Sequence, residues 1–391
     1  MLFRSLRIRP RGGRARLAAR TLHPGDDDRG RLALAPHRRL RRLTGRATPG
    51  AGELWRAYRL RWRRRRLLLR AWRKRAELSP AVDRTAAIRP GAILCFATMR
   101  NEAVRLPHFL DHYRRLGVDH FLIVDNGSDD GTAEMLAEAP DVSLWRTESA
   151  YREARFGMDW LTRLQRRHGH GHWCLTVDAD EILIYPEWER RGLAELTAWL
   201  DREKIPAMGA VMLDLYPKGP LGAAAYAPGA DPTEVLGWYD AWNYTWEWQP
   251  KYRNVSIRGG VRKRVFFADR PDHAPHLHKV PLVRWRRGYV YVSSTHIALP
   301  RRLNAVFDAR LGRPYGTLLH TKFLDVVIEK SREEKRRGQH FTHPERYDRY
   351  YDEILGNPIL WSKSSAQYKG WRELEDAGLM ARGHWAGKAR G

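Results

Sequence analysis

From Gly91 onward, short apolar runs alternate with segments of helical period. Residues 92–98 (AILCFAT), 120–124 (HFLIV), 142–146 and 173–177 (WCLTV) read as strands. Between them, residues 106–116, 132–138 and 156–167 repeat apolar positions three and four apart, and the last segment puts Phe156, Trp160, Leu161 and Leu164 on one side. Strands apolar on both faces, alternating with helices, predict an α/β fold with a mostly parallel sheet covered on both faces. Beyond Asp201 the pattern predicts strands at 207–215 and 289–294, a loop at 219–231 and helices at 318–336 and 344–355. Residues 89–391 are expected to form one continuous domain, its second half building a further lobe with a helical extension. No repeat of fixed period is present.

The region before Gly91 follows a different pattern. Residues 1–51, rich in Arg, Gly and Pro, have no sustained apolar period and are expected to be a disordered basic arm. Residues 52–78 then place Trp55, Tyr58, Trp62, Leu69 and Trp72 along one helical stripe, with Arg56, Arg59, Arg63, Arg64, Arg70, Arg73 and Lys74 filling much of the rest. This basic amphipathic helix has two readings: an anchor on an anionic membrane surface, or a helix packed on its own domain with its cations in water. Pro80 and Pro90 bracket an expected linker, which closes this unit near residue 88.

Charge divides the chain in the same way. Residues 1–90 hold 27 Lys and Arg against 6 Asp and Glu, whereas residues 91–391 hold 44 against 39, so the globular part is nearly balanced within a total of +26. Two cysteines, Cys95 and Cys174, each inside an apolar run, exclude a disulfide framework and read as buried thiols. The N-terminal segment lacks the apolar stretch of a signal peptide, and no run reaches the roughly 20 apolar residues of a spanning helix. A cytoplasmic protein is expected, peripheral on the inner membrane face if the basic helix is an anchor.

Polar signals gather where the predicted strands end. The first strand runs into Thr98-Met99-Arg100-Asn101-Glu102, the second into Asp125-Asn126-Gly127-Ser128-Asp129-Asp130-Gly131, and the fourth into Asp178-Ala179-Asp180-Glu181. Each alone is an ordinary turn composition. Ligands of open parallel sheets bind outside the carboxyl ends of the strands, however, and three polar loops in register point to a site there. Asp178 and Asp180, spaced i, i+2, are expected to leave the strand on the same side and address one hard divalent cation, Mn²⁺ or Mg²⁺, that keeps positions open for a diphosphate.

RNE within FATMRNEAVRLPHFLDHYRRLGVDHFLIVDNGSDDGT, followed by VDADEILIYP, resembles the GT-A glycosyltransferases of family 2, in the bacterial branch similar to family 92. The resemblance covers about residues 88–300. It implies a GT-A fold with a Rossmann-like nucleotide half and an acceptor-side lobe, a nucleotide-sugar donor and a divalent metal. It also implies that Thr98, Asn101 and Glu102, in one loop with Arg100, contact the base and ribose. Asp125 and Ser128 would form the second donor loop, Asp178 would face the ribose or the metal shell, and Asp180 would ligate the metal. His296, in YVSSTHIALP, stands for the late histidine that such enzymes often add to the metal site.

Further positions follow with less pattern behind them. Among Arg258, Arg262, Lys263, Arg264 and Lys279, the side chains of Arg262, Arg264 and Lys279 are expected to hold the leaving diphosphate. Residues 238–248, with four Trp and two Tyr, suit sugar stacking or a core. Inverting members need a carboxylate to take the acceptor's proton, and Asp240, Glu247 and Asp214 stay open for that role. The chain lacks the ED dipeptide and the Gln-x-x-Arg-Trp motif of better-defined family 2 members in the expected region. His168-His170-His172 and His273-His276-His278 sit in Gly- and Pro-broken settings and read as loop histidines rather than zinc ligands.

The expected activity is transfer of a hexose from a UDP- or GDP-sugar to a glycan or lipid-linked acceptor, in bacterial surface polysaccharide synthesis. A nucleic-acid-binding protein is the first rival, but the excess charge lies outside the sheet and the predicted site is acidic, so no nucleic acid is expected as a partner. A nucleotidyltransferase is the second, and it would want a Gly-rich phosphate loop that TMRNEA lacks. A binding module with a degenerate site is the third, and the intact acidic residues speak against it.

Overall fold

The computed structural model describes residues 51–223, 225–308, 311–337 and 348–385. The expected basic arm therefore lies, but for Ala51, outside the described residues. In chain order the first strands are β1 (Ser79–Val82), β2 (Ile93–Met99), β3 (His120–Asp125), β4 (Val142–Arg146), β5 (Trp173–Thr176), β6 (Glu181–Ile184) and β7 (Ala207–Asp214). After them come β8 (Trp238–Tyr239), β9 (Thr245–Gln249), β10 (Asn254–Arg258), β11 (His278–Arg284), β12 (Val290–Ser293), β13 (Ile297–Leu299) and β14 (Tyr315–His320). The helices used below are α1 (Ala51–Arg73), α2 (Leu106–Leu116), α3 (Thr132–Glu138) and α4 (Met158–His168), followed by α5 (Leu193–Arg202).

Nine strands form one mixed sheet in the order β1-β4-β3-β2-β5-β11-β7-β14-β6. The run β4-β3-β2-β5 is parallel throughout, with Cys95 of β2 opposite Phe121 of β3 on one side and Leu175 of β5 on the other. Successive residues of β2 enter opposite cores, as the two-residue strand period requires. Leu94 and Phe96 pack in a cluster with Trp160, Leu161 and Leu164 of α4, whereas Ile93, Cys95, Ala97 and Met99 pack with Phe109, Tyr113 and Leu116 of α2 and Leu136 of α3. This double burial is why these strands read as unbroken apolar runs. Both thiols are buried and free, and burial pushes their pKa up.

Beyond β5 the parallel expectation gives way. Strand β11 is antiparallel to both β5 and β7, β14 returns parallel to β7, and β6 closes the edge antiparallel to β14. The fold is thus mixed α/β around a large mixed sheet. Two sequence expectations are corrected here. Residues 318–320 belong to β14 rather than to a helix, because Leu318 and Leu319 are held between Met212 and Leu213 of β7 and Leu183 and Ile182 of β6; helix begins only at Val327. The expected linker after Pro80 contributes β1, whose Ser79 and Pro80 face Arg146 and Trp145 of β4. A proline is tolerated on such an edge strand, where its missing N–H breaks no ladder bond.

Two features of this order place the site. Taken along the chain, the parallel strands stand third, second, first, fourth, so the winding reverses between β2 and β5 and leaves a crevice at their carboxyl ends. Because β11 runs the other way, its first residues, His278 and Lys279, reach that same rim. Among the described residues no helix is long and apolar enough to cross a membrane.

Candidate functional site

A cavity of about 690 Å³ opens at the switch point. Thr98, Met99 and Arg100 from the end of β2, Asn126 after β3, Asp178 to Glu181, and Lys279 with His296 line it. Its far wall carries Arg258, Arg262, Asp272, His320, Lys322 and Lys330. Strands β5 and β6 are separated in the sheet by β11, β7 and β14, so residues 177–180 cross the rim over the ends of three strands. They do so as a turn closed by the Glu181 amide donating to the Asp178 carbonyl at 3.1 Å. The two aspartates therefore do not stand side by side on a strand extension, as their spacing had suggested; each finds a different basic neighbour.

Asp178 is 46% exposed, and its Oδ2 accepts from Lys279 Nζ at 3.0 Å. The same ammonium also donates to Glu181, whose carboxylate is buried. Burial alone would lower the Lys279 pKa, but the Asp178 and Glu181 carboxylates outweigh it and hold the ammonium charged. Lys279, expected to hold a leaving diphosphate, is thus committed to two carboxylates at the base of the site.

Asp180 meets a residue that sequence reasoning missed. The parallel register of β14 against β7 sets His320 opposite Asp214, and the antiparallel register against β6 sets it opposite Glu181. The His320 ring then spans two carboxylates, with Nε2 3.1 Å from Asp180 Oδ2 and Nδ1 2.6 Å from Asp214 Oδ1. Ionised carboxylates only accept, so both ring nitrogens must donate and His320 is an imidazolium. Burial disfavours that charge, yet Asp180 and then Asp214 more than offset it and raise the pKa. The reciprocal effect follows: burial would raise Asp180, but His320, with Arg105 and Lys322, holds it well below the ordinary carboxylate range. Arg262 Nε donates to Asp214 Oδ2 at 2.7 Å and, with His320, overcomes burial to bring Asp214 down to about 2. Asp214, expected among the proton acceptors, is a buried acceptor already filled by His320 and Arg262, which suits it to holding His320 in place.

The other expected positions divide in the same manner. Thr98 lines the cavity and its buried Oγ1 has no hydrogen-bond partner among the described residues, while Glu102 lines it with its carboxylate shared by Arg105 at 2.9 Å and Lys330. Arg100 donates to the Asn126 carbonyl at 2.8 Å and to Glu333 at 3.1 Å, which ties the two loops together. Asn101, Asp125 and Ser128 do not line the cavity. Ser128 Oγ accepts from the Asn101 amide at 3.0 Å and donates to Asp125, and Asn101 Oδ1 accepts from the Asp129 amide at 3.0 Å. They hold the β2 and β3 loops against each other and so shape the rim from behind.

Asp240 and Arg264 form a buried pair at 2.7 Å, joined by the Tyr216 hydroxyl and the Leu360 carbonyl, and Glu247 is exposed on β9. None of the three lines the cavity. Part of the aromatic segment around them serves packing, since Trp246 contacts Phe307 and Tyr315 and Trp238 contacts Trp361, whereas Trp242 is exposed. Asp272, which sequence reading passed over, does line the cavity and is exposed, with no hydrogen bond or ion pair among the described residues.

His296 Nδ1 donates to the His278 carbonyl at 2.6 Å, which fixes the neutral tautomer and leaves Nε2 as an acceptor on the cavity wall. Burial, with Lys279 adding, holds its pKa well below the ordinary value. His276 and His278 lie tilted against it and are bonded to Ser256 and to Asn254; His278, expected in a loop, is instead the buried first residue of β11. Among the described residues no three of His, Cys, Asp and Glu are gathered closely enough to hold a metal ion, so Asp178, Asp180 and His296 are not a preassembled triad. That donor set does not fit zinc, which takes at least three protein ligands. It does fit Mg²⁺ or Mn²⁺, hard cations bound through one or two carboxylates together with substrate phosphates. Lys322 completes the basic side of the cavity: burial, with Arg262 adding, lowers its pKa to about 8. A scan against protein-family models and a search of curated proteins both return no match for the chain.

Proposed function

We propose that the protein is a metal-dependent glycosyltransferase of GT-A type that takes a sugar from a UDP- or GDP-linked donor to a glycan or lipid-linked acceptor. The observation that carries the reading is Asp178-Ala179-Asp180 turning across the carboxyl rim of a sheet whose parallel half has the strand order of nucleotide-binding folds. A cavity of about 690 Å³ is of the size that holds a ligand with several rings or phosphates. The resemblance of the RNE and VDADE segments to family 2 enzymes supplies the same expectation from the sequence.

In this reading Asp180, with Asp178 beside it, would hold a hard divalent cation, whose charge would offset that of a departing nucleoside diphosphate. His320, fixed by Asp214, orients the Asp180 carboxylate and keeps it ionised. Lys322 and Arg262 present positive charge to the phosphates from the far wall. Glu102 offers a polar contact to the nucleoside beside Thr98, Tyr151 and Phe156. Asp272 replaces Asp240, Glu247 and Asp214 as the side chain that takes the acceptor's proton, since it is an exposed cavity carboxylate that forms no ion pair among the described residues.

The test is a panel of UDP- and GDP-sugars scored for nucleoside diphosphate release, with and without Mn²⁺, on wild type and Asp180→Asn. Release with one donor class that depends on metal and vanishes in the variant is the expected result. Equal release by Asp180→Asn overturns the assignment, as does the absence of release from every donor in the presence of metal and a lipid-linked or glycan acceptor pool.

A further inference from the structure

Helix α1 is docked on the rest of the chain by one face. Leu60 is buried in a cluster with Tyr252, Val290, Val292 and Leu299, and Ala71 is fully covered. Arg63 donates to the Tyr252 hydroxyl at 2.7 Å, Arg70 to Asp159 at 2.6 Å, and Glu53 receives Arg253 at 3.0 Å. These contacts fix the rotation of the helix, and with it the face that looks outward. An amphipathic helix on a globular domain ordinarily turns its apolar stripe inward. Here the stripe is outside: Leu54 and Trp55 are each 61% exposed, and Tyr58, Trp62, Leu69 and Trp72 are about half exposed.

Three of these side chains, Trp55, Tyr58 and Trp62, form a continuous outer ridge. Trp55 stacks on Tyr58 at 5.6 Å, Tyr58 meets Trp62 edge-on at 6.3 Å, and the guanidinium of Arg65 lies over Trp62 at 5.2 Å. Around the ridge Arg56, Arg59, Arg61, Arg65, Arg66 and Arg73 are exposed and form no ion pair among the described residues. Contiguous exposed apolar surface of this kind marks an interaction site.

Charge selects the occupant. The helix carries nine Arg and one Glu, and residues 1–50 carry 14 Arg and 3 Asp, so neither that segment nor a second copy of the helix complements it. A nucleic acid would meet the arginines but gives no reason for Leu54 and Leu69 to be outside. An anionic bilayer surface meets both demands, with headgroup phosphates for the guanidinium groups and the acyl boundary for Trp, Tyr and Leu. We propose that the outward face of α1, centred on Trp55, Tyr58 and Trp62, lies in the interface of an anionic lipid surface while its inner face stays on the domain. This inference is independent of the catalytic reading.

The experiment is co-sedimentation of the full chain with phosphatidylglycerol–phosphatidylcholine vesicles and with pure phosphatidylcholine vesicles, and the variants are the pair Trp55→Ser, Trp62→Ser and the pair Arg56→Gln, Arg65→Gln. Both pairs change exposed side chains, and an unchanged melting temperature verifies the fold. The expected result is binding to the anionic vesicles alone, lowered on the order of tenfold by the tryptophan pair and several-fold by the arginine pair. No binding of wild type to anionic vesicles overturns the proposal. Undiminished binding by the tryptophan pair overturns it as well, since another part of the chain would then make the contact. Binding to duplex DNA or self-association that the tryptophan pair abolishes, with vesicles left in solution free of protein, assigns the face to another occupant and overturns it too.

Discussion

His320 donates from Nε2 to Asp180 at 3.1 Å, so the second aspartate of the rim turn is held by a cation from β14, the strand next to the far edge of the sheet. The other ring nitrogen is taken by Asp214, itself held by Arg262, and the four groups form one charged chain beneath the cavity. A chain of this kind is stable only when complete, because removing one member strands the others in low dielectric.

His320→Asn is therefore expected to destabilise the fold by about 3–5 kcal/mol near neutral pH. The sign with pH is definite. In the wild type, Asp180 and Asp214 have depressed pKa values, so their contribution is present above the ordinary aspartate value and lost as pH falls through the folded one. The His320 pKa is raised, so the stability its charge contributes is fully present below the ordinary histidine value of 6.5 and lost as pH rises through the folded value, and the deficit of the variant is expected to shrink as pH is raised above that range. Denaturant melts of both proteins across that range measure it, and a deficit independent of pH would refute the imidazolium assignment.

Asp180→Asn and Asp272→Asn are each expected to lower donor turnover by on the order of a hundredfold or more. They should differ in metal response: excess Mn²⁺ partly rescues a weakened ligand at 180 but not a missing proton acceptor at 272. Nucleoside diphosphate release against metal concentration separates the two.

Asp240→Asn and Glu247→Gln serve as the contrast. Glu247 is exposed, and its change is expected to move stability by no more than about 0.5 kcal/mol and to leave turnover intact. Asp240 is buried against Arg264 and Tyr216, so its change should lower the melting temperature while folded protein keeps its turnover per molecule. Loss of turnover at unchanged stability for either variant would return that residue to the site.

Lys322 gives the cavity a pH dependence in the alkaline range. Its pKa of about 8 means the positive charge facing the cavity is lost as pH rises through that value, and affinity for UDP or GDP should fall several-fold between about pH 7 and about pH 9. Stability moves the opposite way, rising from about pH 8 toward the ordinary lysine value, because the folded chain releases this proton before the unfolded one does. Calorimetric titration of the nucleotide into wild type and Lys322→Met checks the first point, and the variant should bind weakly with no such drop.

Gly157 is the tightest approach among the described glycines of residues 91–192. Its φ is +74°, and a Cβ there would stand 2.5 Å from Thr98 Oγ1. Gly157→Ala is expected to cost about 1–3 kcal/mol in backbone strain and to displace Thr98 from the cavity wall, raising KM for the donor more than it lowers kcat. A change in kcat alone would place Thr98 outside donor contact.

How much of this was legible beforehand follows from the range of the interactions involved. Leu106–Leu116 and Thr132–Glu138 read correctly from periodicity because a helix answers to residues three and four apart, and β2, β3 and β5 read as apolar runs because both their faces are covered. Cavity positions Thr98, Arg100, Glu102, Asp178 and Asp180 followed from their places at strand ends, which is a local property. By contrast, His320 is invisible in the local pattern: residues 318–336 read as a helix, and only pairing with β7 and β6 makes His320 a strand end. Asp240 and Asp214 looked eligible as bases because a sequence shows the carboxylate and hides the arginine that fills it.

The amino-acid sequence by itself determined the alternation of strand and helix, the acidic turn after WCLTV and the basic aromatic helix, since each is written in neighbouring residues. Tertiary structure alone decided that β11 and β6 run antiparallel, that Lys279 and His320 reach the two aspartates, and that the tryptophans of α1 face outward. Those outcomes depend on strand register and helix docking between distant segments, and no local pattern carries that information.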